Sequence, residues 1–155
     1  MLVTPLQMAN LAAIIANRGY YYTPHLIKAL GKEPIQAEEG QRHAIAIDQA
    51  YFDFVAWAMR KVVSAGSAWR ANVKGLTVCG KTGTAENPHG KDHSVFIGFA
   101  PLEEPQIAIA VYIENAGWGV RAATAIAGLM IEKYLKGRID RHGVQNYVLQ
   151  GDFSH

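Results

Sequence analysis

What this sequence has little of narrows the reading first. It holds a single cysteine, Cys79, so an internal disulfide is excluded and cysteine usage says little about compartment. Charge is scarce at 18% of residues and nearly balanced at +2, with no Lys/Arg cluster along a helix face, which argues against nucleic acid as a partner. Long hydrophobic runs are missing as well. The longest, around Leu11–Ala16 and Ala122–Ile131, are too short to span a bilayer, and no signal peptide is read at the opening. There is no internal repeat and no low-complexity segment. What is present is an ordinary packed composition, half hydrophobic over 155 residues, which argues against disorder and fits one domain or a large piece of one.

Along the chain, Thr4-Pro5-Leu6-Gln7 reads as a helix start, with Thr4 as N-cap, Pro5 at the first helical position and Gln7 closing a capping box. The helix is expected over 4–17 with Gly19 as its stop, and its apolar residues on most sides predict burial. Tyr20–Tyr22 predicts an extended exit whose rings pack on alternating faces rather than forming a stacking platform. His25–Ala29 is expected as a short edge strand and Gly31–Arg42 as a loop. A second helix is expected over 48–64, capped by Asp48 and ended by Gly66, with Phe52, Val55, Met59 and Val62 as its apolar face. Ser67–Asn72 suggests a short extra turn.

Three strands are then expected in quick succession, at 76–86, 93–100 and 106–114. Short connections predict antiparallel pairing. In the second, Val95, Ile97 and Phe99 share a face; in the third, Ile107, Ile109, Val111 and Ile113 do. The small residues Ala108 and Ala110 on the other face of the third predict a helix lying close over it. A closing helix is expected over 121–136, with Ala123, Ala127, Met130 and Tyr134 inward and Gly137 as stop. The segment from Arg138 onward carries no strong signal. The pattern is α+β, an antiparallel sheet flanked by helices.

The first of these strands contains Val78-Cys-Gly-Lys-Thr-Gly-Thr-Ala-Glu86, and the chain is organised around it. Lys81-Thr82-Gly83-Thr84 sets one ammonium and two hydroxyls around a glycine. An extended segment offering those groups can dock an extended peptide and grip a carboxylate. Lys-Thr-Gly is one of three motifs shared by serine β-lactamases and penicillin-binding proteins, beside Ser-x-x-Lys and a Ser-Asp-Asn-type triplet. Here it is followed by Ala85-Glu86, a polar loop, Asp92-His93-Ser94-Val95-Phe96-Ile97-Gly98-Phe99-Ala100-Pro101, Ile107–Asn115 and Gly117-Trp118-Gly119. With Thr4–Ala9 ahead of it, this succession resembles the C-terminal part of the transpeptidase domain of class B penicillin-binding proteins, nearest to the elongation type. The resemblance covers nearly the whole chain and fades after about Arg138.

That resemblance implies a partial serine β-lactamase/transpeptidase-like fold and an acyl-serine mechanism that cross-links peptidoglycan. By motif position, Lys81 and Thr84 are the catalytic candidates, and Thr82, Gly83 and Thr84 the substrate-binding ones. Lys81 would hold the substrate carboxylate and tune proton transfer, Thr82 and Thr84 would donate hydroxyl hydrogen bonds, and the Thr84 N–H would supply half of an oxyanion hole. No cofactor and no metal is implied. The implied partners are peptidoglycan stem peptides, β-lactams and proteins of the elongation machinery. The implied location is the periplasmic face of the inner membrane, in a membrane-anchored parent protein.

The departure from the family pattern is large. None of Ser64, Ser67, Ser94 and Ser154 begins a Ser-x-x-Lys or a Ser-x-Asn. The chain is therefore expected to be a C-terminal fragment, inactive alone, whose nucleophile lies upstream. Removing the rest of the domain exposes apolar surface, chiefly on the 4–17 helix, and favours self-association. A sensor of β-lactam or muropeptide with the same fold is the alternative, and a degenerate interaction domain a third reading. Smaller features have two readings each. Cys79 is a buried hydrophobe or a redox group; His89 and His93 with Asp92 are a metal site or a local brace of the loop; Trp118 lines the substrate groove or caps the packing of the last helix.

Overall fold

The computed structural model describes residues 2–26, 29–30, 33–34, 40–151 and 153. In chain order the elements are α1 (Pro5–Ala16), β1 (Tyr20–Tyr22), β2 (Ala29–Leu30), β3 (Glu33–Pro34), β4 (Arg42–Ala44), α2 (Gln49–Ala65), a 3-10 turn (Trp69–Ala71), β5 (Cys79–Ala85), β6 (His93–Ala100), β7 (Ile107–Ile113), α3 (Ala122–Lys136) and α4 (His142–Gln150). Both early caps form. The Thr4 and Gln7 side chains and backbones exchange the two bonds of a capping box, and the Asp48 carboxylate accepts from Ala50 N–H.

The organising layer is an antiparallel sheet in the order β5-β6-β7. Its register pairs Cys79 with Phe99, Lys81 with Ile97 and Thr84 with Ser94, and then Phe96 with Val111 and Phe99 with Ala108. Because directly opposed residues share a face, the register assigns the sheet two sides. One side carries Phe96, Ala100, Ile109 and Val111 against Ala123, Ala127 and Ile131 of α3, with Val63, Val73 and Val78 closing the same cluster. The other carries Cys79, Phe99, Ile97 and Ala108 against Ile15 and Ala16 of α1 and Ala56 and Met59 of α2. The methyl groups of Ala108 and Ala110 let α1 cross this face at short range. The sheet is thus covered on both sides, and Val95–Ile97–Phe99 and Phe96–Ala100 are both packed.

Several sequence expectations are corrected. The buried face of α2 is Phe52, Ala56, Met59 and Val63, while Val55 is exposed. The helix lies along β5 and feeds both clusters, so its core stripe is rotated from the one read at spacings of three, four and three. In α3, Ala123 and Ala127 point inward, but Met130 and Tyr134 are exposed, and the inner residues there are Leu129, Ile131 and Glu132. Among the α1 residues only Ala12 and Ala16 are buried; Leu6 and Leu11 face solvent, so this apolar helix is half-wet.

Tyr20–Tyr22 is a strand paired with Arg42–Ala44, with the Arg42 guanidinium 3.9 Å over the Tyr20 ring and Tyr21 stacked on His43. Arg42, expected in a loop, is therefore in a strand. Most of Gly31–Arg42 and part of His25–Ala29 lie outside the described residues; within them, His25 and Leu26 are not in a strand, and Ala29–Leu30 pairs with Glu33–Pro34.

The segment after Arg138 is not featureless. It forms α4, fixed by Arg141, whose Nε donates to Glu132 Oε2 at 3.0 Å and whose Nη1 donates to the Arg70 and Asn72 carbonyls. Glu132 is 1% exposed, and its other oxygen lies 3.6 Å from Lys136 Nζ. Gly128 leaves the space into which the guanidinium fits, since a Cβ there would lie 2.7 Å from Arg141 Nη2.

Candidate active site

Strand β5 is one edge of the sheet, and its start is fixed from three directions. Val78 and Cys79 are fully buried, Arg60 of α2 donates to the Val78 carbonyl at 3.1 Å, and a Cβ on Gly80 would lie 2.1 Å from Phe96 Cζ, so ring and strand meet in contact. Beyond Gly80 the strand emerges. Lys81 is exposed, and Thr82 and Gly83 are partly covered. Among the described residues no carboxylate pairs with Lys81; its Nζ donates to the Thr82 carbonyl at 2.8 Å. Alternation splits the four candidates: Lys81 and Gly83 share the α1 side with Ile97 and Val95, while Thr82 and Thr84 share the α3 side with Phe96 and Ser94.

Each threonine hydroxyl has a partner that the sequence did not single out. Thr82 Oγ1 lies 3.1 Å from Ser67 Oγ, brought there by the stop of α2 at Gly66. Thr84 Oγ1 accepts from Gly119 N–H at 3.3 Å. A hydroxyl that accepts one bond keeps its own proton for a ligand oxygen. The cross-strand partner of Thr84, Ser94, is fully buried; its Oγ donates to the Trp118 carbonyl at 3.3 Å and accepts from Ala123 N–H at 3.1 Å. Arg121, at the N-cap of α3, has no side-chain cap bond of its own, so Ser94 caps that helix from the neighbouring strand. The trace of this in the sequence is a serine at a position whose strand-mates, Phe96 and Ala100, are core.

The loop after β5 is braced by hydrogen bonds from its side chains to backbone and to one another. Asp92 Oδ1 accepts from Asn87 N–H at 3.2 Å, Asn87 Nδ2 donates to Asn115 Oδ1 at 2.7 Å, and His93 Nδ1 accepts from Asn115 N–H at 3.0 Å. The His93 ring also stands against Tyr112, and Gly117 N–H donates to the Asp92 carbonyl. Asp92 and His93 thus tie the β5–β6 loop to the end of β7. Trp118 is 67% exposed, which leaves its ring on the surface rather than in the packing of α3. Beside it, Lys91, Arg121 and Phe153 help line a cleft of about 270 Å³.

Cys79 belongs to the core rather than to the chemistry. Burial pushes its thiol from an ordinary value of 9.0 up to about 12, so it carries no thiolate near neutrality. Glu103, in the β6–β7 connection, is held below the usual carboxylate range by the Thr77 hydroxyl that donates to it; Thr77 Oγ1 also accepts from Leu102 N–H. That pair anchors the connection to the segment leading into β5. The geometry as a whole is a rigid strand edge with an ammonium on one face and two partly engaged hydroxyls on the other. It can hold an extended backbone and an anionic oxygen.

A profile of the penicillin binding protein transpeptidase domain matches residues 1–132. The chain is 35% identical to the peptidoglycan D,D-transpeptidase MrdA of Acinetobacter baumannii over 138 residues, covering 77% of this chain and 20% of that protein. It is 28% identical to stage V sporulation protein D of Bacillus subtilis, over 92% of this chain and 24% of that protein. Among solved structures, Pseudomonas aeruginosa PBP2 in complex with WCK 5153 superposes with a TM-score of 0.73 at 33% identity, over 92% of this chain and 32% of that one. The penicillin G acyl-enzyme complex of penicillin-binding protein A from Mycobacterium tuberculosis gives 0.62 at 27% identity, over 96% and 32%. The chain spans about a fifth to a quarter of the length of these curated relatives.

Proposed function

The chain belongs to the penicillin binding protein transpeptidase domain family, and from that premise we propose that it forms one wall of a D,D-transpeptidase site that cross-links peptidoglycan. The observation that carries this reading is the emerging half of β5. There the Lys81 ammonium, which pairs with no carboxylate among the described residues, and, on the other face, the hydroxyls of Thr82 and Thr84 flank one open strand edge within four residues.

In this mechanism a serine outside residues 1–155 attacks the D-Ala-D-Ala carbonyl. The C–N bond breaks, D-alanine leaves as the protonated amine, and the amine of a second stem peptide takes up the acyl group. Lys81 attracts the terminal carboxylate and lowers the cost of moving a proton among the neighbouring hydroxyls. Thr82 and Thr84 donate to that carboxylate, and Thr84 N–H stabilises the oxyanion, a donor worth about 2.7–4 kcal/mol in comparable sites. Gly83 leaves the strand open, since among the described residues a Cβ there would meet Val95 alone, at 3.4 Å. β-Lactams acylate the same serine, a reading supported by the acyl-enzyme complex of the mycobacterial relative. The work is done at the periplasmic face of the inner membrane, in a longer membrane-anchored protein acting with the elongation machinery. The present segment, whose four serines begin no Ser-x-x-Lys, supplies one wall of that site and is inactive alone.

The test uses the longer protein that carries this segment, incubated with labelled penicillin and mapped by mass spectrometry. The expected result is one label on a serine of a Ser-x-x-Lys outside this segment, slowed or abolished by Lys81→Ala. A folded protein that takes no label sinks the reading.

A further inference from the structure

The loop Gly117–Val120 rests on the backbone of β5 at the point where the proposed site needs its donor. A Cβ built on Gly119 would lie 2.0 Å from the Gly83 carbonyl oxygen and 2.8 Å from that of Val95, so the two backbones are in contact and only glycine fits. The Gly83 carbonyl and the Thr84 N–H are the two ends of one peptide unit. That unit is planar and trans, so whatever fixes the oxygen also fixes the direction of the N–H on the opposite side. Gly119 makes a second contact one residue further on, donating its N–H to Thr84 Oγ1 at 3.3 Å. The loop is itself fastened by buried Ser94, through the Trp118 carbonyl on one side of Gly119 and Ala123 N–H at the start of α3 on the other.

We propose that Gly119 is a positioning residue for the reaction: it backs the Gly83–Thr84 peptide so that the Thr84 N–H aims at the oxyanion, and it orients the Thr84 hydroxyl as a donor to the substrate. Ser94 serves the same end by seating the loop. The inference rests on the reading of Lys81–Thr84 as the wall of the acylation site. Gly119→Ala puts a methyl group against the Gly83 carbonyl, which rotates that peptide or lifts the loop, and either displaces the donor.

The test is stopped-flow acylation of the full-length protein by a fluorescent penicillin, resolving the acylation rate constant, the pre-acylation dissociation constant and the fraction of protein labelled. Gly119→Ala is expected to lower the rate constant about ten- to a hundred-fold, with the dissociation constant changed less, because a misaimed donor acts on the transition state. Ser94→Ala is expected to lower the same constant by a smaller factor and decides the matter if Gly119→Ala does not fold. A merely structural role predicts the opposite split: a smaller labelled fraction that acylates at the normal rate. That outcome, in Gly119→Ala or in Ser94→Ala where only the latter folds, overturns the proposal while leaving the reading of the site intact. A wild-type protein that takes no label overturns both.

Discussion

Gly80 and Gly83 stand three residues apart on one strand and serve opposite purposes. A Cβ on Gly80 would overlap the Phe96 ring at 2.1 Å, whereas one on Gly83 would make ordinary contact with Val95 at 3.4 Å. Gly80→Ala is therefore expected to destabilise the fold by about 1–3 kcal/mol through overpacking. Gly83→Ala, and to a lesser degree Gly83→Val, should leave the denaturation midpoint nearly unchanged while blocking acylation in the full-length protein. Chemical denaturation beside labelled-penicillin binding separates the two.

Cys79 offers a pH prediction at the same scale. Its folded thiol is raised from 9.0 to about 12, so between those values the unfolded chain gives up a proton that the native chain keeps. Stability is then fully present below pH 9 and falls as pH rises toward 12, with a slope of at most about 1.4 kcal/mol per pH unit from this group. Native protein should resist alkylation at neutral pH, and Cys79→Ala should flatten the alkaline loss; a native Cys79 that alkylates at the rate of a free thiol would contradict its burial.

At the scale of elements, helix ends divide into those closed locally and those closed from a distance. The Thr4–Gln7 box of α1 and the Asp48 cap of α2 are written in adjacent residues, and Thr4→Ala is expected to cost about 1 kcal/mol. The start of α3 is capped by Ser94 on another element, and α4 is attached through Arg141 to a carboxylate inside α3. Arg141→Ala leaves buried Glu132 with Lys136 as its one remaining cationic partner among the described residues, and is expected to cost about 3–5 kcal/mol in urea unfolding, well beyond a surface truncation. This latch is why a segment without a local start signal is helical.

At the scale of the whole chain, the unpartnered apolar surface is larger than α1 alone. Tyr51, Phe54, Val55 and Trp57 of α2 are exposed, as are Leu6 and Leu11 of α1, and no helix among the described residues is long and apolar enough to cross a membrane. Exposed apolar side chains in that number favour association. The isolated chain is expected to form dimers or larger species as concentration rises in light-scattering chromatography, and Phe54→Glu with Trp57→Lys should shift it toward monomer. Strict monomer behaviour at high concentration would show that these side chains do not drive association.

The sequence by itself determined what depends on neighbours in the chain. Period-two and helical patterns, the two caps and the stops at Gly66 and Gly137 gave the α+β order of elements, and Lys81–Thr84 stood out because the motif is contiguous. The tertiary structure decided what depends on residues far apart. α2 carries two apolar stripes side by side, and only its seat along β5 selects Phe52–Ala56–Met59–Val63 for the core. Met130 and Tyr134 satisfy helical spacing, yet they lie on a side of α3 that stays exposed among the described residues. Within the site, the division of Lys81 from Thr82 and Thr84 follows from alternation, but Ser67, Ser94 and Gly119 arrive from 15, 10 and 35 positions away from their threonine partners. No local pattern encodes such meetings. They exist because other elements pack against the sheet: buried Ser94, cut off from water, must bond the Trp118 carbonyl and Ala123 N–H, while the partly covered Thr82 and the exposed Thr84 meet Ser67 and Gly119 where those segments end against β5.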